Sequence, residues 1–190
     1  MTPGWPWSSP ASAISGTRMR LAILATLATL ALDQATKLGV LFGLHLADRG
    51  EIDVLPPYLV FRMAWNKGIN FGLFTAEAQF TRWLLIAIAL GISAWVWIWV
   101  RRDGASRPAQ IAAGLLIGGA VGNVIDRLAY GAVADFLNMS CCGIENPYAF
   151  NIADVAIFIG ALGLVVFSGK PASGAGGKRP RAGKPARKTP

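Results

Sequence analysis

The sequence predicts an α-helical membrane protein with four transmembrane helices and a small extracytoplasmic β-sheet between helices 1 and 2. Three observations lead there. Of the 190 residues, 54% are hydrophobic and 15% charged, against about 25% charged in an ordinary soluble domain, and the mean hydropathy is +0.47. Four apolar stretches approach the roughly 20 residues that a helix needs to cross a bilayer. The Lys and Arg residues collect in alternate connecting segments, which sets a membrane orientation.

Residues 1–18 carry Pro, Ser and Gly around Trp5 and Trp7. They have little to bury and are expected to be disordered. Met19-Arg20 then opens an apolar run that mimics a signal peptide. Cleavage is not expected, because no small-x-small site precedes a soluble domain and Asp33 and Lys37 interrupt the run. The first span runs from about Leu21 to Phe42, the second from Trp83 to Val100. The third, rich in Gly and Ala, runs from about Ala109 to Tyr130, and the fourth from Ala149 to Phe167. One compact membrane unit, residues 19–168, is the expected domain.

Arg18 and Arg20 precede the first span, and Arg101, Arg102 and Arg107 lie between the second and third. The segment after Phe167 holds Lys170, Lys178, Arg179, Arg181, Lys184, Arg187 and Lys188 and no acid, which is most of the formal +8. All three segments are expected in the cytoplasm, with both termini there. The Gly-, Pro- and Ala-rich tail, 169–190, should be disordered. On a membrane protein its charge suits anionic lipid better than nucleic acid. The loops Ala47–Arg82 and Gly131–Tyr148 face outward. In the first, Leu59 to Trp65 reads as a strand, Asn66-Lys67-Gly68 as a turn, and Ile69-Asn70-Phe71 as a resumed strand.

Four polar islands interrupt the apolar sequence. Asp33 and Lys37 stand four apart on one helical face and read as a paired brace. Asn123, Asp126 and Arg127 share a face at the end of the third span and read as a second brace. The small residues before them, Gly118-Gly119-Ala120-Val121-Gly122, let another helix approach closely. Asp135 and Asp154 differ, since neither has a base at helical spacing. Two acids at a membrane edge are costly to keep. If they converge, they would share a proton as an acid/base pair. Asn151, three residues before Asp154, is placed to hydrogen-bond a carboxylate or a substrate backbone. The alternative is structural: Asp135 caps a helix or turn, and Asp154 is a satisfied buried acid. Two other functions remain open at this point, a proton-coupled transporter relaying through Asp33, Asp126, Asp135 and Asp154, and a thiol oxidoreductase using Cys141 and Cys142. With His45 the only histidine and no C-x-x-C, a zinc site is not expected.

Five phrases, in order, resemble the lipoprotein signal peptidase (type II signal peptidase) family. They are Asp33-Gln34-Ala35-Thr36-Lys37; Asn66-Lys67-Gly68-Ile69-Asn70-Phe71-Gly72; Gly118 through Arg127; Val133-Ala134-Asp135-Phe136; and Phe150-Asn151-Ile152-Ala153-Asp154. The resemblance covers about Met19 to Phe167. It implies a bacterial inner-membrane aspartic endopeptidase with its site near the outer leaflet. Such an enzyme cleaves diacylglyceryl-modified prolipoproteins just before the lipidated cysteine, without cofactor, metal or covalent intermediate. The resemblance assigns Asp135 and Asp154 as the catalytic pair. It gives supporting roles to Asp33, Lys37, Asn66, Gly68, Asn123, Asp126, Arg127 and Asn151. Ile69-Asn70, where the family often has small residues, and Cys141-Cys142 depart from the pattern.

Overall fold

A computed structural model describes residues 19–68, 75–102, 105–141, 143 and 146–167. The two flanks expected to be disordered, and the strand expected to resume at Ile69, lie outside the described residues. The chain runs α1 (Arg20–Leu38), α2 (Leu46–Arg49), β1 (Glu51–Leu55), β2 (Leu59–Asn66), α3 (Thr75–Arg102), α4 (Arg107–Tyr130), β3 (Val133–Met139) and α5 (Ile152–Phe167). A wider helical turn, Gly39–Gly43, extends α1.

Three helices, α1 with its extension, α3 and α4, are long and apolar enough to cross a membrane. The expected fourth is the shorter α5, whose 16 residues begin at Ile152 rather than Ala149. At about 1.5 Å per residue that falls short of a 30 Å hydrocarbon core. The late start has a local cause: Asn151 caps the helix, so Phe150 is left free to pair with a strand.

α4 is the hub. Ser106 caps its N-terminus by accepting from Ala109 N–H at 3.4 Å, and Gly131, at φ 79°, closes its C-terminus by donating to Arg127 O. Its small residues face its neighbours. A Cβ on Gly118 would stand 2.7 Å from Thr26 O of α1, and one on Gly160 of α5 would stand 2.6 Å from Ala112 O of α4. Backbones therefore meet with no side chain between them, the packing that substitutes for hydrophobic drive between helices in lipid. Val96 and Val100 of α3, Ala112, Ala113, Leu116 and Ile117 of α4, and Leu164 of α5 form the main core. Leu24, Phe80, Trp95, Phe158 and Val165 point outward and are exposed, as suits helices whose outer faces meet acyl chains.

The sheet is larger than expected. β1 and β2 do lie between the first two long helices, but the order is β1-β2-β3, all antiparallel, and β3 comes from the loop after α4. Its register sets Ala64 opposite Asp135 and Asn66 opposite Val133. Val133-Ala134-Asp135-Phe136-Leu137-Asn138-Met139 has weak strand propensity because Asp and Asn are poor strand formers. Pairing with β2 makes it a strand. Beneath it Val40, Leu46 and Phe136 form a second, smaller core, with Phe61 meeting Phe136 edge-on at 5.7 Å.

Candidate active site

α5 opens on a reciprocal cap. Asn151 Oδ1 accepts from Asp154 N–H at 3.0 Å, and Asp154 Oδ2 accepts from Asn151 N–H at 3.2 Å. This arrangement satisfies two N–H groups and places a carboxylate at the positive end of the helix. Asp154 is thus fixed at the first turn, half-buried. Asp135 sits in β3, only 3% exposed. The chain returns alongside β3: Phe150 exchanges backbone bonds with Leu137 at 2.8 and 3.0 Å. That pairing brings the start of α5 against the Asp135 strand.

Three asparagines aim their amide N–H groups at the two carboxylates, and each is oriented by what holds its oxygen. Asn66 Oδ1 accepts from Gly68 N–H at 2.9 Å, so its Nδ2 donates to Asp135 Oδ2 at 3.0 Å. Asn123 Oδ1 accepts from Lys37 Nζ at 3.2 Å, so its Nδ2 donates to Asp154 Oδ1 at 2.8 Å. Asn151 Oδ1 is held by Asp154 N–H, so its Nδ2 donates to Asp135 Oδ1 at 2.6 Å. A backbone N–H and an ammonium can only donate, which fixes the direction of each amide. All four carboxylate oxygens of Asp135 and Asp154 therefore have a donor. Gly68, at φ 87°, makes the Asn66 turn possible, and a Cβ there would meet Leu85 Cδ1 at 2.6 Å.

Below the pair lies a buried ionic cluster. Lys37 Nζ lies 2.8 Å from Asp33 Oδ2 and 2.7 Å from Asp126 Oδ2. The Asp33–Lys37 brace read from their spacing is present. Asp126, next to Arg127 in sequence, pairs instead with Lys37, since adjacent helical residues point apart. The two acids also tie elements together: Asp33 Oδ1 accepts from Ala153 N–H of α5 at 3.0 Å, and Asp126 Oδ2 accepts from Ala134 N–H of β3 at 3.2 Å. A salt bridge this deep stabilises only when its remaining lone pairs are satisfied, and these backbone donors satisfy them.

The sequence reading placed no base near either aspartate. Folding supplies two: the charges of Arg127 and Lys37 both act on Asp135, and Arg127 acts on Asp154 as well. Arg127 Nη1 also donates to Asn123 O at 3.2 Å. Even so, burial, reinforced by the charge of Asp154, pushes the Asp135 carboxyl up to about 6. The asparagine bonds and Lys37 pull the other way and are outweighed.

All ten residues singled out from the sequence fall in this one assembly. Sequence reasoning missed Gln34, whose Nε2 donates to Asp33 Oδ2 and Asp126 Oδ1, each at 3.1 Å. Its place beside Asp33 in an apolar helix was the available signal. It also missed Arg82, which donates to Leu128 O at the end of α4 at 3.2 Å. Cys141 is exposed, and Cys142 lies outside the described residues. Among the described residues no three His, Cys, Asp or Glu side chains are grouped to hold a metal ion.

The family model for signal peptidase II matches residues 25–169, a span that contains every side chain of the site. The chain belongs to the signal peptidase II family. It is an aspartic peptidase, embedded in a membrane. It is 46% identical over 160 residues to a lipoprotein signal peptidase of Methylorubrum extorquens, covering 82% of this chain and 90% of that one. It is 44% identical over 174 residues to that of Methylobacterium radiotolerans, covering 92% and 97%. A solved bacterial membrane enzyme shares its fold at TM-score 0.65 and 27% identity, over 76% of this chain and 90% of the other. A second gives 0.61 at 27% identity, over 76% and 85%. In this signal peptidase the matched span thus brings the ten residues into one contiguous polar cluster.

Proposed function

We propose that Asp135 and Asp154 are the catalytic pair of this peptidase and share one proton in the resting enzyme. The observation that carries the reading is Asn151. Its backbone N–H donates to Asp154 Oδ2 at 3.2 Å and its side-chain Nδ2 to Asp135 Oδ1 at 2.6 Å, so one residue holds both carboxyls. Asp135, buried and raised to about 6, is the acid and carries the proton below that pH. Asp154 is the base, at the rim, where water can reach it.

The chain removes signal peptides from prolipoproteins. Asp154 takes a proton from water as the oxygen attacks the scissile carbonyl, and Asp135 gives its proton to the developing oxyanion. The resulting diol collapses: Asp154 returns its proton to the leaving nitrogen, and Asp135 recovers one from the diol hydroxyl. No covalent bond to the protein forms. The finer substrate is a diacylglyceryl-modified precursor, cut just before the lipidated cysteine. A site at the end of the membrane helices, with exposed apolar side chains beside it, suits a peptide whose acyl chains stay in the bilayer. The enzyme sits in the inner membrane with the sheet at the outer leaflet. Arg20, Arg101, Arg102 and Arg107 gather at the ends of α1, α3 and α4 away from the sheet, which supports that orientation.

Asp135→Asn and Asp154→Asn should each fold and each abolish cleavage. The measurement is the intact mass of a diacylated prolipoprotein after incubation with purified protein, with and without chelator. Mature product from either variant at the wild-type rate refutes the pair. Loss of wild-type cleavage on chelation refutes the metal-free chemistry.

A further inference from the structure

We propose that Asn138 is a positioning residue for this reaction, clasping the loop between β3 and α5 so that Asn151 and Asp154 meet Asp135 in register. The proposal rests on the catalytic pairing of Asp135 with Asp154. Asn138 is 3% exposed on a strand that otherwise ends in exposed Met139. Its Nδ2 donates to Asn146 O at 2.6 Å and to Tyr148 O at 3.0 Å. Both acceptors are loop carbonyls, and neither aspartate is touched.

The loop has other ties: Ser140 Oγ accepts from Asn146 N–H at 3.1 Å, and Asn146 Oδ1 accepts from Tyr148 N–H at 3.0 Å. These bind the loop to itself, and Ser140 N–H ties the loop to Tyr58 O. The backbone then pairs with β3 at one residue, Phe150, opposite Leu137. A single bridge specifies register weakly, and a slip by one residue turns every following side chain to the other face. Asn151 follows the bridge directly, so a slip removes its donation to Asp135 and carries Asp154 away. The two bonds from Asn138 fix how much chain lies between β3 and Phe150, and so they hold the bridge in place.

The test is steady-state cleavage of a diacylated prolipoprotein by full-length protein carrying Asn138→Ala or Asn138→Ser, with rates corrected for folded fraction. Tyr148→Ala, which keeps the backbone acceptor and changes only an exposed side chain, is the control. Misplacement of about 1 Å costs on the order of 100-fold in rate. Asn138→Ala should therefore lower kcat about 10- to 100-fold with KM within about twofold. The alkaline limb of kcat/KM should move to lower pH, because Asp135 loses both burial and the neighbouring Asp154 charge. Asn138→Ser, with one donor, should fall between. A loss accounted for by folded fraction alone, with the pH limb unmoved, overturns the proposal. If Asn138→Ala does not fold, Asn138→Ser decides, and an unmoved limb there overturns it equally. Wild-type-rate cleavage by Asp135→Asn refutes the catalytic pairing instead, and the clasp's catalytic role falls with it.

Discussion

The Asp135 carboxyl makes the fold less stable as pH rises, and the size of the effect follows from its position. Burial and the Asp154 charge raise it from 3.8 to about 6. In the unfolded chain the group returns to its ordinary value. Between those two pH values the folded state holds the proton more firmly than the unfolded state does. The stability this contributes is complete below pH 4 and is lost as pH rises through 6. At about 1.4 kcal/mol per pH unit, the loss approaches 3 kcal/mol. Replacement by asparagine removes the titration. It also turns one amide donor towards Asn66 or Asn151, which are themselves donors, at a cost of about 1–3 kcal/mol. The absolute offset between wild type and Asp135→Asn is then a small difference of two terms, and the slope is the diagnostic quantity. Chemical unfolding in detergent from pH 4 to 8 should show wild-type stability falling more steeply than that of the variant, by about 3 kcal/mol over that range. Parallel curves would refute the claim that burial holds a proton on Asp135.

Other consequences follow from the cluster and the packing. Lys37→Met leaves Asp33 and Asp126 buried together without their shared cation, which should cost about 3–5 kcal/mol; Lys37→Met with Asp126→Asn should recover part of it, and an unchanged unfolding midpoint in the single variant would contradict the pairing. Gly122→Ala sets a Cβ 2.5 Å from Asp33 Oδ2 and should lose about 1–3 kcal/mol by overpacking, measured by the same unfolding assay. Asn66→Asp removes a donor to Asp135 and adds a negative charge beside it, so the alkaline limb of kcat/KM should move up by about one pH unit or more.

Much of this was legible in the sequence, and the reasons for the exceptions are physical. Long apolar runs announce α1, α3 and α4 because about 20 mostly apolar residues in a row are what a helix needs to cross a bilayer. β2 is legible from Leu59 to Trp65 by its β-branched and aromatic residues, and the Asn66 turn by Gly68. β3 is not, because Asp135 and Asn138 are poor strand formers and the segment is extended by its pairing with β2. The start of α5 was misplaced by three residues because Asn151 resembles a helical residue at the right spacing, while its bonds are those of a cap. The pairing of Asp126 with Lys37 joins residues 89 positions apart, and no local pattern encodes it. The convergence of Asp135 with Asp154 depends on Phe150 meeting Leu137, which only the folded register decides.

The site's polarity has a direction that begins at Lys37. An ammonium only donates, so it holds the oxygen of Asn123 and turns that amide's hydrogens to Asp154. Asp154 N–H does the same to Asn151, and Gly68 N–H to Asn66, with Asp135 receiving both. Donors alone would favour two ionised carboxylates, which cannot begin acid/base hydrolysis. Burial of Asp135 beside Asp154 opposes them and raises the pH at which Asp135 gives up its proton. The buried Lys37 cluster therefore does more than join α1 to α4. It fixes the amide that faces Asp154, while burial raises the carboxyl of Asp135. Removing the cation should thus alter the pH profile of any surviving activity as well as the stability, a pairing of effects that a purely structural salt bridge would not produce.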